Sequence, residues 1–220
     1  RKEGLKHPQA CEFDWVVGAD GAHSRVRDSI GARFVGRDYP ERWSVAEVRT
    51  GHWPGDAQAM LYLQSDGIGL FLSQPARGTV QGILNAEGAE GALFDLFPDA
   101  QSRYQRTFRA SLRRVPTPRK GRVWLIGDAA HVQSPVGGQG LNLAIWDGIT
   151  LAQSLASGDT GVERRLAARA RRVLFFTDLD YRLLATRNRA VQFSRNRYWA
   201  LAARKPAIAG WFFKVISGVW

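Results

Sequence analysis

The sequence predicts a mixed α/β (α+β) fold, and three observations carry that prediction. Two apolar runs, 13–17 (FDWVV) and 123–126 (VWLI), each end in a glycine-rich turn and pass into helical sequence, as a parallel strand followed by a helix does. The stretch 33–119 between them breaks into short apolar runs bounded by turn residues, which reads as a β-sheet region interrupting one α/β unit. Beyond residue 157 the apolar residues recur at helical steps, with arginines between them.

Taken in order, residues 1–32 supply the first strand, the turn Gly18-Ala19-Asp20-Gly21 and a helix over 24–30. Within 33–119, strands are expected at 45–48, 59–63, 69–72 and 79–84, separated by turn clusters such as HWPGD (52–56). Residues 100–112 are expected as a helix before the linker 116–121. Residues 120–156 form the second strand, its glycine loop and a helix, and 157–220 form further helices. In that last part Leu166, Val173, Phe176, Leu179 and Leu183 mark the apolar stripe, and Phe175, Phe176, Tyr181 and Phe193 read as buried helix positions.

Composition narrows the function. A chain of 220 residues with 45% hydrophobic content can bury a sizeable core, and no apolar run reaches the roughly 18 residues of a membrane span. The single cysteine, Cys11, excludes an intrachain disulfide and a cysteine zinc cluster, which suits a reducing, cytoplasmic setting. Histidines at 7, 23, 52 and 131 show no metal-ligand spacing, so no metal is expected. Most of the net charge of +11 lies in residues 158–220, with 13 Lys and Arg against 4 Asp and Glu. No nucleic-acid motif accompanies that charge, which reads as a solvated helix face rather than a nucleic-acid site.

The loop GDAAHVQSPVGGQGLN, 127–142, carries the chemistry. Gly127 and Asp128 stand at the carboxyl end of a buried strand, where open α/β sheets place ligands, and a carboxylate there accepts hydrogen bonds from ligand hydroxyls. Gly137, Gly138 and Gly140 allow a tight turn and close approach of backbone N–H groups. The helix beginning near Leu141 turns its first amides toward the loop, which favours negative charge on a ligand. Polyhydroxylated, electron-accepting cofactors have these properties. A strand-to-helix connection without a ligand is the alternative reading of the same residues.

The turn DWVVGADGAHSRVR (14–27) paired with GRVWLIGDAAHVQSPVGGQGLNLAIWDGITL (from 121) resembles two signatures of the FAD-dependent aromatic hydroxylases typified by para-hydroxybenzoate hydroxylase. The resemblance is good over 1–156 and loose beyond. It implies an incomplete Rossmann-like FAD-binding domain in two pieces, 1–32 and 120–156, around a substrate-binding sheet domain at 33–119, with C-terminal helices over 157–220. Asp128 would bond the ribityl hydroxyls, beside Gly127 and Gly138. Gly140, Leu141 and Asn142 would present backbone N–H groups to the pyrimidine edge of the flavin. Pro135 and Gly137 would lie near the flavin face where oxygen and substrate meet. Asp20 and Gly21 would pack near the pyrophosphate, and Arg25 and Arg27 would meet phosphate or the nicotinamide cofactor. His131 is read as a hydrogen-bonded structural residue rather than an acid or base.

The implied activity is hydroxylation of an aromatic or quinone-precursor substrate by O₂ through a flavin C4a-hydroperoxide, with FAD reduced by NADPH or NADH. Leu61, Leu63, Leu70 and Leu72 are candidates to line the substrate pocket. Halogenases and prenyl-chain reductases of the same fold are the nearest alternatives, and a non-catalytic basic binding protein is the remaining class. Residues 204–220, with Arg204-Lys205 before AIAGWFFKVISGVW, suggest a helix docked on the protein or a peripheral membrane contact. The family also carries a GxGxxG turn for the ADP half of FAD, and this sequence has none. The chain is therefore expected to be the carboxyl-terminal part of a longer monooxygenase, an inactive fragment that binds FAD weakly, if at all, on its own.

Overall fold

The computed structural model describes residues 11–53, 59–63 and 67–205. Strand β1 (Val16–Gly18) pairs in parallel with β8 (Val123–Leu125), in register Val16↔Val123 to Gly18↔Leu125. β8 is flanked on its other side by the antiparallel β7 (Arg119–Lys120). Helix α1 (Arg25–Ser29) follows β1, as the glycine turn predicts, with Ser24 as its N-cap. Two sequence segments about a hundred residues apart thus form one sheet.

Between them stands a six-stranded sheet of order β3-β4-β5-β2-β6-β9. Its strands are β2 (Val35–Arg49), β3 (Ala59–Leu63), β4 (Ile68–Gln74), β5 (Thr79–Leu84), β6 (Gln101–Arg114) and β9 (His131–Val132). All neighbours in it are antiparallel. The four expected strands are present, and β2 is much longer than its apolar centre at 45–48 suggests. Its pairing with β6 shifts register between Asp38 and Arg42, around Pro40, whose missing N–H cannot enter a ladder.

The helix expected at 100–112 is instead β6. Arginines at 103, 106 and 109 mimic helical spacing, but no apolar stripe accompanies them, and only Ala110 of the strand is fully buried. Pairing with β2 along nearly its whole length overrides the local pattern, and Tyr104, Thr107 and Phe108 suit a pleated surface. Helix α2 (Ala89–Leu96) is not evident from sequence; Gly88, at φ +99°, precedes it.

Side chains alternate across this sheet with the period of two that a strand imposes. Ala46, Val48, Phe71 and Val80 face α2 and pack with Leu93 and Phe97. Tyr39, Trp43 and Ile68 face the other way and pack with Tyr181 and Leu184 of helix α4 (Val162–Leu184). Helices α3 (Gln139–Ser157) and α4 close over the parallel strands, with Trp124 and Leu151 packed on Val162 and Leu166. Helix α5 (Arg189–Arg204) follows, capped by the Asn188 side chain.

The helical tail differs in detail from the expected stripe. Leu166 and Val173 are buried, but Leu179 and Leu183 are exposed, because the buried face runs through Ala170, Thr177 and Tyr181. Small and polar residues on that face disguise it in a hydrophobicity pattern. Phe175 and Phe193, expected inside, are 65% and 64% exposed. Of the 204–220 segment, residues 206–220 lie outside the described residues. Among the described residues no helix is long and apolar enough to cross a membrane.

Candidate functional site

Two glycine turns meet at the carboxyl ends of β1 and β8. Ile126 N–H donates to the Gly18 carbonyl at 3.0 Å. Arg27 is buried, and its guanidinium donates to the Ala22 carbonyl at 2.9 Å and to the Ala129 carbonyl at 3.3 Å and lies 4.0 Å above the Phe34 ring. Arg27 therefore clamps the first turn to the second, a structural duty that leaves Arg25, exposed at the start of α1, as the freer cation. Asp20 is also engaged locally. Its carboxylate accepts from Ser24 Oγ at 2.5 Å and from the N–H groups of Arg25 and Val26, and the Ser24 hydroxyl above all lowers its pKa. Gly21 beside it takes φ +87°, which L side chains avoid.

The second loop is held from beneath by a buried pair. Asp147 on α3 accepts from Gly127 N–H at 3.2 Å and stands 2.6 Å from His131 Nε2, with both side chains almost wholly buried. Gly127, at φ +55°, packs where a Cβ would come within 3.1 Å of Ala144 Cβ. Asp147 therefore fixes the loop's first turn to α3 at two points, and His131 takes the hydrogen-bonded structural place that the sequence suggests. Asp147 falls inside the quoted signature stretch, but its role does not follow from it; the i+16 spacing from His131 becomes meaningful only when α3 folds back over the strand end.

Above that base the candidate ligand groups face outward. Asp128, in a short 3₁₀ turn over Gly127–Ala129, is exposed and takes no hydrogen bond from the described residues. Gly137 and Gly138 adopt φ +88° and +62°, and Gly138 is the N-cap of α3. With no side chain capping it, α3 begins with unsatisfied backbone N–H groups, to which Gly140, Leu141 and Asn142 of its first turn belong. Leu141 and Asn142 are exposed, and Gly140 sits against Gln133, where a Cβ would meet Nε2 at 2.9 Å. An exposed carboxylate at a strand end and an uncapped helix start suit the hydroxylated and anion-forming parts of a flavin. These residues fit the ribityl and ring half of such a cofactor.

Against this loop lies a cavity of about 480 Å³. Its walls come from the α4-facing side of the six-stranded sheet, including Leu61, Leu63, Leu70, Leu72 and Trp43, and from Pro135 to Gly138 of the loop. Leu184 and Asp180 of α4 and Trp199 of α5 complete it. The four leucines singled out from sequence share this wall, as do Pro135 and Gly137. Asp180 and Trp199 are not evident from sequence, because their place depends on how the helical tail returns to the sheet. The size and apolar lining suit a small organic ligand.

A family model described as "FAD binding domain" matches residues 5–91 and 85–172. The chain belongs to this FAD-binding-domain family. Pentachlorophenol 4-monooxygenase of Sphingobium chlorophenolicum is 28% identical over 183 residues, covering 73% of this chain and 32% of its own length. The 3-(3-hydroxy-phenyl)propionate/3-hydroxycinnamic acid hydroxylase of Burkholderia cenocepacia is 29% identical over 221 aligned positions, covering 90% and 40%. Among solved structures, p-nitrophenol 4-monooxygenase PnpA from Pseudomonas putida DLL-E4 superposes with a TM-score of 0.73 at 23% identity, covering 93% of this chain and 57% of that one. That likeness is one of fold. The chain thus spans about a third to two-fifths of the length of the first two relatives. The mixed α/β architecture is that of the flavin-dependent hydroxylases.

Proposed function

We propose that this chain is the flavin-ring and substrate-binding part of an FAD-dependent monooxygenase that hydroxylates an aromatic or quinone-precursor substrate. The reaction consumes NADPH or NADH and O₂: an aromatic C–H becomes C–OH, the second oxygen atom leaves as water, and the nicotinamide is oxidised. The observation that supports this reading most directly is the shared wall. One apolar cavity is lined both by the substrate-side sheet and by the glycine loop whose free amides suit a flavin.

Asp128 would hold the ribityl hydroxyls, with Gly127 and Gly138 shaping the backbone around them. The N–H groups of Gly140, Leu141 and Asn142 would bind the pyrimidine edge. When bound, the reduced flavin supplies the activation of O₂. The protein's part is to seat the ring, hold the substrate against Pro135 and Gly137, and keep water out with the leucine wall. Asp20, Gly21 and Arg25 form the neighbouring turn and would border the phosphates.

Because the sequence has no GxGxxG turn for the ADP moiety, contacts are expected to the ring, the ribityl chain and the phosphates, and not to the adenosine. Titration with riboflavin, FMN and FAD, followed by flavin absorbance and fluorescence, should give weak affinities, alike for FMN and FAD and weaker for riboflavin. With saturating FAD, NADPH or NADH and a panel of phenols under ¹⁸O₂, any hydroxylated product should carry one labelled oxygen. A hydroxylated product whose new oxygen comes from water rather than from ¹⁸O₂ would count against the monooxygenase reading. A halide requirement with a halogenated product would point to halogenation instead.

A further inference from the structure

The cavity wall is apolar except at one place. Among the described residues that line it, Asp180 is the one with an ionisable side chain. Its carboxylate has no hydrogen-bond or ion-pair partner among the described residues, although it is partly buried and burial raises its pKa. Asp178, two positions earlier on the same helix, differs sharply. It accepts from Arg37, the Tyr39 hydroxyl and Arg182. Of these two acids, Asp178 is fully occupied in holding the helix to the sheet, and Asp180 faces the cavity with no partner among the described residues.

Asp180 is also placed at the chemical end of the cavity. A Cβ built on Gly137 would lie 3.9 Å from Asp180 Oδ2, so the carboxylate sits beside the glycine loop rather than at the far leucine wall. A half-buried carboxylate without a donor costs stability, and a ligand that brings a donor relieves that cost. No Lys or Arg is among the described lining residues, so an anionic ligand would meet a like charge and no counter-ion.

We propose that Asp180 is the specificity-determining residue of this cavity. It accepts a hydrogen bond from a ring hydroxyl or amino group, so the site takes neutral hydroxy- or amino-aromatics and turns away aromatic carboxylates. The use made of the bound ring rests on the monooxygenase reading, since a donor held at the loop end orients an electron-rich ring toward Pro135 and Gly137. The selection itself is a property of the cavity. A site built around a hydrogen bond rejects an analogue that lacks the donor far more strongly than one that merely differs in size.

The test is equilibrium binding to the chain without flavin or reductant, read by the fluorescence of the wall residues Trp43 and Trp199. The probes are 2-naphthol, 2-methoxynaphthalene and 2-naphthoate, which share a ring system and differ in donor and charge. Wild type should prefer 2-naphthol to the methyl ether by about tenfold or more, as a hydrogen bond to a charged acceptor does, and bind 2-naphthoate most weakly. Asp180→Leu should bring the naphthol-to-ether ratio close to one. Asp180→Asn, isosteric and still an acceptor, should keep part of that preference while admitting 2-naphthoate. Equal binding of naphthol and ether by wild type, an unchanged ratio in Asp180→Leu, or no binding of any probe would overturn the proposal. Should Asp180→Leu fail to fold by circular dichroism, the naphthoate gain in Asp180→Asn decides it, and its absence overturns it. Because no turnover is involved, a product oxygen drawn from water alongside a retained naphthol preference would remove the monooxygenase reading and leave this one standing.

Discussion

Asp178 and Asp180 share a helix, yet their protons are held in opposite senses. Burial alone would raise the Asp178 carboxyl, but Arg37, the Tyr39 hydroxyl and Arg182 outweigh it and hold it below the ordinary aspartate value. A depressed folded-state pKa contributes stability above the unfolded value, lost as pH falls through the folded one. Asp178→Asn should therefore lower Tm at neutral pH, by about 2–4 °C for a loss near 1 kcal/mol in a chain of this size, and the gap should narrow in acid. For Asp180 the sign reverses. Burial raises its pKa, so the ionised form weakens the fold at neutral pH and the penalty fades as the group protonates. Asp180→Asn should raise Tm at neutral pH and leave it little changed in acid. Thermal melts followed by circular dichroism across that range check both, and a fall in Tm for Asp180→Asn at neutral pH would contradict the assignment. From sequence alone the two acids look alike, a pair of carboxylates on an arginine-rich helix. What separates them is β2, whose Arg37 and Tyr39 arrive from about 140 positions away.

At the scale of elements, the glycine loop and α3 act as one piece. Asp147 reaches both Gly127 N–H and the His131 ring, so the loop's entry and its first turn depend on one carboxylate. Removing either partner of a buried hydrogen bond leaves the other unsatisfied, typically at about 1–3 kcal/mol. Asp147→Ala and His131→Ala should each destabilise the fold on that scale, and the double variant should lose much less than the two losses added together. Denaturant unfolding in a double-mutant cycle measures this, and simple additivity would show that the contact carries no coupling. The loop is legible in the sequence because glycines, a strand and a helix start stand in linear order. The part played by Asp147 is not, because that residue lies more than two turns into a helix and its partners are set only by the fold. Strand β6 escapes the sequence pattern for a related reason: arginine spacing says which side chains are solvated, not whether the backbone is helical. Its pairing with β2 supplies the missing information, and there Gly36, at φ +149°, lets the strands close so tightly that a Cβ would lie 1.9 Å from the Leu112 carbonyl oxygen.

Over the whole molecule, the strand-turn-helix pairs and the sheet between them are readable because each is a local pattern with its own period. The union of the two glycine turns is readable only as an expectation, since nothing local says that distant strands pair. The same holds for the cavity: its leucines alternate visibly along β3 and β4, while its helical wall depends on the return of α4 and α5. The parallel pairing Val16↔Val123 has a further consequence, for the order of events in folding. Closing a chain segment of that length costs about 4 kcal/mol of entropy before any contact repays it. The antiparallel strands between can pair through much shorter loops, and once formed they shorten the distance that β1 must search. The parallel seam should consequently form last and open first. Native-state hydrogen exchange should find the β1 amides, protected by a seam only three residues long, exchanging through openings well below the global free energy, while β5 and the centre of β2 exchange only on full unfolding. Equal protection of the two would refute this. Because Arg27 and the Gly18 carbonyl tie the seam to the loop, a ligand held there would bind the last-formed part of the molecule. Slowed exchange at Val17 and Gly18 would then report occupancy of a site that neither residue touches.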